Sequence, residues 1–243
     1  MAPRIFVGDD ATAFAPGGEY RLPPHAARHV AQALRMRIGD ALTLFTGLGG
    51  EYAATLAHVD RRDVVVRVER HDPIERESMR AATLVQSLIA AEMMDFVVRK
   101  AVELGAAAIV PIQAARSQAI AADRAERRVA HWRQIAIAAC EQCGRNRIPD
   151  VSRIATFDEW IDAHADAAAI LDLDAKRSLA AQTAIAAPRA IAVGPEGGFT
   201  ADEVQRATSR GAIAVHLGRR VLRAETAAVA ALATLDAIAG DAK

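Results

Sequence analysis

Two short stretches carry most of what this sequence offers to chemistry. They are Gly194-Pro195-Glu196-Gly197-Gly198 and the run from His216 to Thr226, "HLGRRVLRAET". The first follows an apolar run, Ala190–Val193, and precedes a helical pattern, the layout of a loop that cradles phosphate at a helix N-terminus. It nevertheless holds a carboxylate and no lysine or arginine, so phosphate would be repelled. Pro195 fixes φ, and the glycines allow close backbone approach. Thr200 and Glu203 have the T-x-x-E spacing of a capping box, which gives Glu203 a structural task. In the second stretch an apolar Val221-Leu222 pair sits among arginines and needs a partner to cover it. Together the loops offer backbone donors and acceptors, apolar walls and few charges. That suits a flat, neutral heterocycle with a cationic tail, a description met by S-adenosylmethionine. A nucleotide-phosphate enzyme would need a G-x-x-x-x-G-K-[ST] loop, or G-x-G-x-x-G after a strand, and neither is present.

Other candidates are more ambiguous. Glu141 and Arg145 are four apart on one helix face, where a surface ion pair is the ordinary outcome. Their place in "EQCGRNR", where the helix breaks at Gly144, suits contact with a nucleic acid by Arg145 and Arg147. Cys140 and Cys143 form a C-x-x-C with no companion ligand pair, and His131 is isolated, so packing is expected and no metal site. "HAARHVAQALRMR" places His25, Arg28, His29, Arg35 and Arg37 together without an acid, either as a solvated helix face or as a phosphate-contacting patch that Arg4 and Arg21 extend. Arg116 and Ser117 close an apolar strand, within reach of a cofactor mouth or a polyanion. Trp132 and Trp160 lie at helical spacing among apolar neighbours, as core or interface anchors do.

The elements that position these residues fall into two patterns along 243 residues. Residues 1–72 read as short strands, Arg4–Val7, Ala41–Phe45, Glu51–Val59 and Asp63–Glu69, with one helix at His25–Leu34, which implies a small barrel. "HDPIERES", 71–78, reads as a linker. From residue 73 on, strands (Ala82–Ile89, Ala107–Ile112, Ala168–Leu173, Ala190–Val193, Ile213–Leu217) alternate with helices (Met93–Leu104, Arg124–Cys143, Thr200–Ser209, Glu225–Ala239), the signature of a parallel α/β sheet. Ligands bind such sheets at the carboxyl ends of strands, where both glycine loops and Leu171-Asp172-Leu173 fall. The net charge is zero, which argues against a blanket polyanion binder, although all but three of the 30 basic residues are arginine, the lysines being Lys100, Lys176 and Lys243. With no bilayer-length apolar run and no signal-peptide pattern at Met1–Phe14, a cytoplasmic protein without a membrane partner is expected.

"GPEGGFTADE" and "LGRRVLRAETA", preceded by "VVRKAVELGAAAIVPIQAARS" (97–117) and "AIAACEQCGRNRIPD" (136–150), resemble the bacterial small-subunit ribosomal RNA uridine N3-methyltransferases, the RsmE family of the SPOUT superfamily. "HVAQALRM" (29–36) resembles a segment of that family's PUA-like barrel. The resemblance implies a PUA-like RNA-binding β-barrel over 1–72 and, over 73–243, an α/β SPOUT domain with a deep trefoil knot. It implies a homodimer that uses S-adenosylmethionine to methylate N3 of one uridine in 16S ribosomal RNA of the small subunit. Cofactor contacts carry over to Leu171, Gly194, Pro195, Glu196, Gly197, Leu217, Gly218, Val221, Leu222 and Arg223, and RNA contacts to Arg4, His29, Arg35, Arg37, Arg116, Arg145 and Arg147.

Uracil N3 bears a proton between two carbonyls, so its methylation needs a proton acceptor and a donor group for the developing anion. N3 also lies on the pairing edge, so the base must be unpaired or flipped out. Arg223 is the first choice to stabilise the anion, with pairing to Glu225 as its structural alternative. Glu225 is a candidate acceptor or a first-turn helix acid, and Glu141 is the third catalytic candidate. A ribosome-assembly protein with a degenerate site is the rival reading.

Overall fold

The computed structural model describes residues 2–8, 14–61, 63–80 and 82–239. The outermost residues of the two expected domains, Met1 and 240–243, lie outside the described residues. Two compact units emerge, Met1–Glu77 with Cys140–Ile148, and Ser78–Ala139 with Pro149–Lys243. The division expected at 72/73 therefore falls at Glu77, and the first unit also takes in a distant segment.

In the first unit, β1 (Arg4–Phe6), β2 (Glu19–Arg21), β3 (Ala41–Phe45), β4 (Glu51–Val59) and β5 (Val64–Asp72) form one sheet in the order β1-β3-β4-β5-β2. Only β1 and β3 pair in parallel. The helix α1 (Pro24–Arg28) gives way to a wider π turn over His29–Ala33, where Leu34 N–H donates to His29 O at 3.0 Å. Arg35, at φ 53°, ends that turn in the left-handed region. Ala26, Ala27 and Val30 pack with inward residues of the strands, Leu44, Leu56 and Val66 among them, in one core. The stretch expected as a linker is tied into this unit by ion pairs. Glu75 binds Arg147, Arg76 binds Glu51 and Glu77 binds Arg145. A local reading of a charged, aperiodic run does not see partners this distant in sequence.

In the second unit every paired strand is parallel: β6 (Thr83–Ser87), β7 (Ala108–Gln113), β8 (Asp150–Val151), β9 (Ala155–Thr156), β10 (Ala168–Leu171), β11 (Ala190–Val193) and β12 (Ile213–Val215). The order is β12-β10-β11-β6-β7-β8, with β9 also on β7. Such strands are covered on both faces and read as apolar runs, and all four residues of β11 are buried. The helices are α2 (Ala91–Glu103), α3 (Ala122–Cys143), α4 (Phe157–His164), α5 (Leu179–Ile185), α6 (Ala201–Ser209) and α7 (Ala224–Ala239). The last turn of α3 is counted with the first unit. Thr156–Glu159 and Thr200–Glu203 form complete capping boxes that start α4 and α6. Val85, Ile112, Ile170 and Ala192 pack with Phe157, Trp160 and Ile161 on one face of the sheet. On α3, Trp132 is buried and its indole N–H donates to Asp95 Oδ1 at 3.1 Å, so both tryptophans are core residues. Among the described residues, no helix is long and apolar enough to cross a membrane and no cluster of metal-ligating side chains occurs.

Candidate functional site

Three neighbouring parallel strands, β11, β10 and β12, end side by side, and the chain leaves each into a loop. Between these loops lies a cleft of about 290 Å³, near the small end of ligand sites. The strand-terminal Val193, Leu171 and Val215 contribute apolar lining, and Ala224 and Ala227 add the start of α7. The loop 194–198 lines one side, and His216, Leu217, Arg220, Val221 and Leu222 another. The two glycine-containing turns singled out in the sequence thus close on the same space.

Local backbone demands explain the glycines. A Cβ on Gly194 would lie 3.0 Å from Phe199 N and 3.2 Å from Gly198 Cα, so any side chain would push the loop open. Gly218, at φ +122°, has a conformation that other residues rarely adopt. The loop is anchored from outside the cleft. Arg116 Nη1 donates to Gly197 O at 2.7 Å, and Ala115 N–H donates to Glu203 Oε1 at 2.8 Å while Glu203 Oε2 accepts from Thr200 N–H. The carboxylate of Glu196 accepts the Ala90 N–H, 3.1 Å away, at the start of α2. A negative charge is favourable at that helix end. This settles why a glycine loop carries an acid: Glu196 ties the loop to the neighbouring strand's exit instead of facing a phosphate.

The charge balance of the lining is informative. Asp172 and Glu196 are its acids and Arg220 its one guanidinium. A triphosphate would meet two carboxylates and no lysine, whereas a sulfonium or ammonium group would meet compensating charge.

Leu171, Gly194, Pro195, Glu196, Gly197, Leu217, Val221 and Leu222 line the cleft, while Gly218 and Arg223 fall between lining residues. Arg223 caps α7 through its carbonyl, which accepts Ala227 N–H at 2.8 Å. Its exposed guanidinium has no hydrogen bond or ion pair among the described residues, so the pairing with Glu225 is not formed. Glu225 stands in the first turn of α7. Glu141 is not brought to this cleft. It belongs to the first unit, where its carboxylate accepts Phe6 N–H at 3.0 Å.

Two arginines expected at an RNA surface instead turn inward. Arg4, with 7% of its side chain exposed, pairs with Glu51 and the Asn146 side-chain oxygen and lies over the Phe45 ring. Arg145, 4% exposed, makes a bidentate pair with Glu77. Both are corrections to the sequence reading, and the cause is the same: a carboxylate far away in the chain folds back onto each guanidinium. Arg147 keeps 56% of its side chain exposed beside Glu75. His29, Arg35 and Arg37 are exposed with no side-chain partner among the described residues. Cys140 is buried, its thiol pushed up to about 12 by burial, and both cysteines are free. Asp172, His216 and Arg220 lie in strand-end segments that the sequence marked for a ligand, although none of the three was nominated as an individual contact. His216 Nδ1 accepts Gly218 N–H at 3.0 Å and so shapes the second loop.

Comparison with known proteins agrees with this geometry. The family described as "RNA methyltransferase domain" matches residues 76–236, and "RNA methyltransferase PUA domain" matches 22–69. Ribosomal RNA small subunit methyltransferase E of Mycobacterium bovis is 33% identical over 215 residues, covering 84% of this chain and 80% of that protein. The protein of the same name from a Buchnera aphidicola strain is 28% identical over 99% of this chain and 95% of its own length. Among solved structures, ribosomal RNA small subunit methyltransferase E from Neisseria gonorrhoeae, bound to S-adenosyl methionine, superposes with a TM-score of 0.91 at 34% identity, covering 100% of both chains. A Legionella pneumophila protein solved in complex with bound SAM gives 0.91 at 34% identity, covering 98% of both.

Proposed function

Because this chain belongs to the RNA methyltransferase family, alongside the ribosomal RNA small subunit methyltransferases E, we propose that it methylates N3 of one uridine in 16S ribosomal RNA with S-adenosylmethionine as donor. The observation that carries the reading is the cleft at the ends of β10, β11 and β12, with its apolar floor, its glycine backbone and its two carboxylates against one guanidinium. Adenine suits the apolar walls and loop backbone groups, and the cationic end of the cofactor suits Asp172 and Glu196. A close-packed Gly194 leaves room for a ligand only while it has no side chain. Bound there, the cofactor supplies an electrophilic methyl group.

The chain's own residues have three tasks in this reaction. The loops 194–198 and 216–222 hold the donor and exclude water from it. Arg223, without a carboxylate partner among the described residues and next to the N-terminal end of α7, stabilises negative charge on the uracil carbonyl oxygens as N3 loses its proton. Glu225, in the first turn of α7, is the candidate to take that proton. RNA would be gathered by exposed basic groups, His29, Arg35 and Arg37 on the first unit, Arg147 beside Glu75, and Arg116 beside Gly197.

A trefoil knot, a homodimer and a cytoplasmic location belong to the same proposal. Sedimentation of a monomer at micromolar concentration would remove the dimer from it. The decisive functional experiment is mass mapping of 16S ribosomal RNA from cells lacking this gene. One uridine should lose its N3 methyl group, and the wild-type gene should restore it where Arg223→Ala does not. An unchanged modification pattern would reject the activity.

A further inference from the structure

A second depression in the same unit, about 420 Å³, lies where β6 and β7 end. Its apolar lining includes Ile89, Met94 and Ile120, and its polar lining is Gln118, Arg124 and Arg128, with no acid among the lining residues. Arg124 and Arg128 stand four apart on α3, so both guanidiniums are on one helix face. Neither has a side-chain hydrogen bond or ion pair among the described residues, although Asp123 and Arg127 beside them pair with each other. Two guanidiniums without a carboxylate partner thus stand together over an apolar floor.

The position of this groove is as informative as its composition. Ala90 lies between its lining residues Ile89 and Ala91, and Ala90 N–H is the donor to Glu196, which lines the first cleft. The Glu196 carboxylate therefore ties the loop of the first cleft to the chain that lines the groove. The loop carrying Gln118 is fixed to the same place, its N–H donating to Leu88 O at 3.3 Å.

Resting on the reading of this chain as an RNA methyltransferase, we propose that the groove seats a nucleotide adjacent to the methylated uridine. Its base lies against Ile120, above the buried floor of Ile89 and Met94, its edge meets the Gln118 amide, and the flanking phosphates bind Arg124 and Arg128. Recognition of RNA of this kind targets unstacked nucleotides, which offer a flat apolar face and a charged backbone together. Trp132 is only 1% exposed, so it supports the floor and is not a stacking platform. A second copy of the chain is a poorer occupant, because a two-fold contact through this face would bring arginine against arginine.

The test uses the full-length protein and small ribosomal subunits from cells lacking the enzyme. In Arg124→Gln/Arg128→Gln, KM for subunits should rise about tenfold, and the log–log salt dependence of binding should flatten by about 1.4, two single-strand phosphate contacts' worth. Affinity for S-adenosylmethionine, kcat and melting temperature should stay as in the wild type. Arg124→Lys/Arg128→Lys should recover most of the loss, and Ile120→Ser should raise KM without changing the salt slope. Wild-type KM and slope in the Gln pair would overturn the groove alone, as would a change of oligomeric mass in that variant, which would make the face a protein contact. Absence of methylation by the wild type would overturn the functional reading and this inference with it.

Discussion

Two sets of arginines, one in each unit, do opposite work. In the first, Arg4, Arg76 and Arg145 are absorbed by Glu51 and Glu77, with Asn146 bridging from the returning segment. In the second, Arg124, Arg128 and Arg220 line cavities, Arg223 directly follows the lining Leu222, and none of the four has a side-chain partner among the described residues. The residue type is the same, and its task is set by whether a carboxylate from elsewhere in the chain reaches it. A paired, buried guanidinium is a fixture whose loss costs stability. An unpaired one on a cavity rim contributes little to folding and is free to meet an anionic ligand.

Substitutions should separate these two populations cleanly. Glu77→Ala removes the bidentate carboxylate from the buried Arg145, so the protein should lose about 3 kcal/mol, read as a lower denaturant midpoint. Arg223→Ala should instead leave the unfolding curve in place and reduce kcat by about 10²–10³, the usual cost of one anion-stabilising donor. A destabilised Arg223→Ala protein with normal turnover would erase the contrast.

Acid titration sharpens the first half of the comparison. Arg76 foremost, then Arg4 and the Asn146 amide, hold the Glu51 carboxyl down to about 2 from its ordinary 4.5, against the opposing effect of burial. A carboxyl with a depressed folded-state value stabilises the protein above its unfolded value, and this contribution is lost as pH falls through the folded one. Stability should therefore fall by roughly 2–3 kcal/mol between about pH 4.5 and 2, and Glu51→Gln should flatten that limb of the curve. The smallest effect belongs to Thr200→Ala. Losing half of the capping box at α6 should cost about 1 kcal/mol, with a weaker hold on the cofactor because Glu203 also fixes Ala115.

The same contrast explains what could be read from the sequence. β11, the 194–198 loop and the Thr200–Glu203 box were legible because each is dictated by neighbours within a few residues. Leu171, Leu217, Val221 and Leu222, which line the cleft, were nominated through the family resemblance and not through their local pattern. The fates of Arg4 and Arg145 were not legible, since Glu51 and Glu77 lie far from them in the chain. Glu141 looked available for chemistry until Phe6 N–H was found to occupy it. α5 is only seven residues long, too short for its period to show, although Ser178 caps it. The π turn after α1 mimics an ordinary helix in residue pattern and differs only in which carbonyl each N–H reaches.

The central claim is that the cleft at the ends of β10, β11 and β12 is a nucleoside site for a cation without phosphates. Calorimetric titration with S-adenosylmethionine, with ATP as the comparison ligand, tests it most directly. The expected result is one S-adenosylmethionine per chain and no heat from ATP, with binding lost in Gly194→Val while that variant still melts cooperatively. Undiminished binding in Gly194→Val, or ATP taking the site instead, would contradict it.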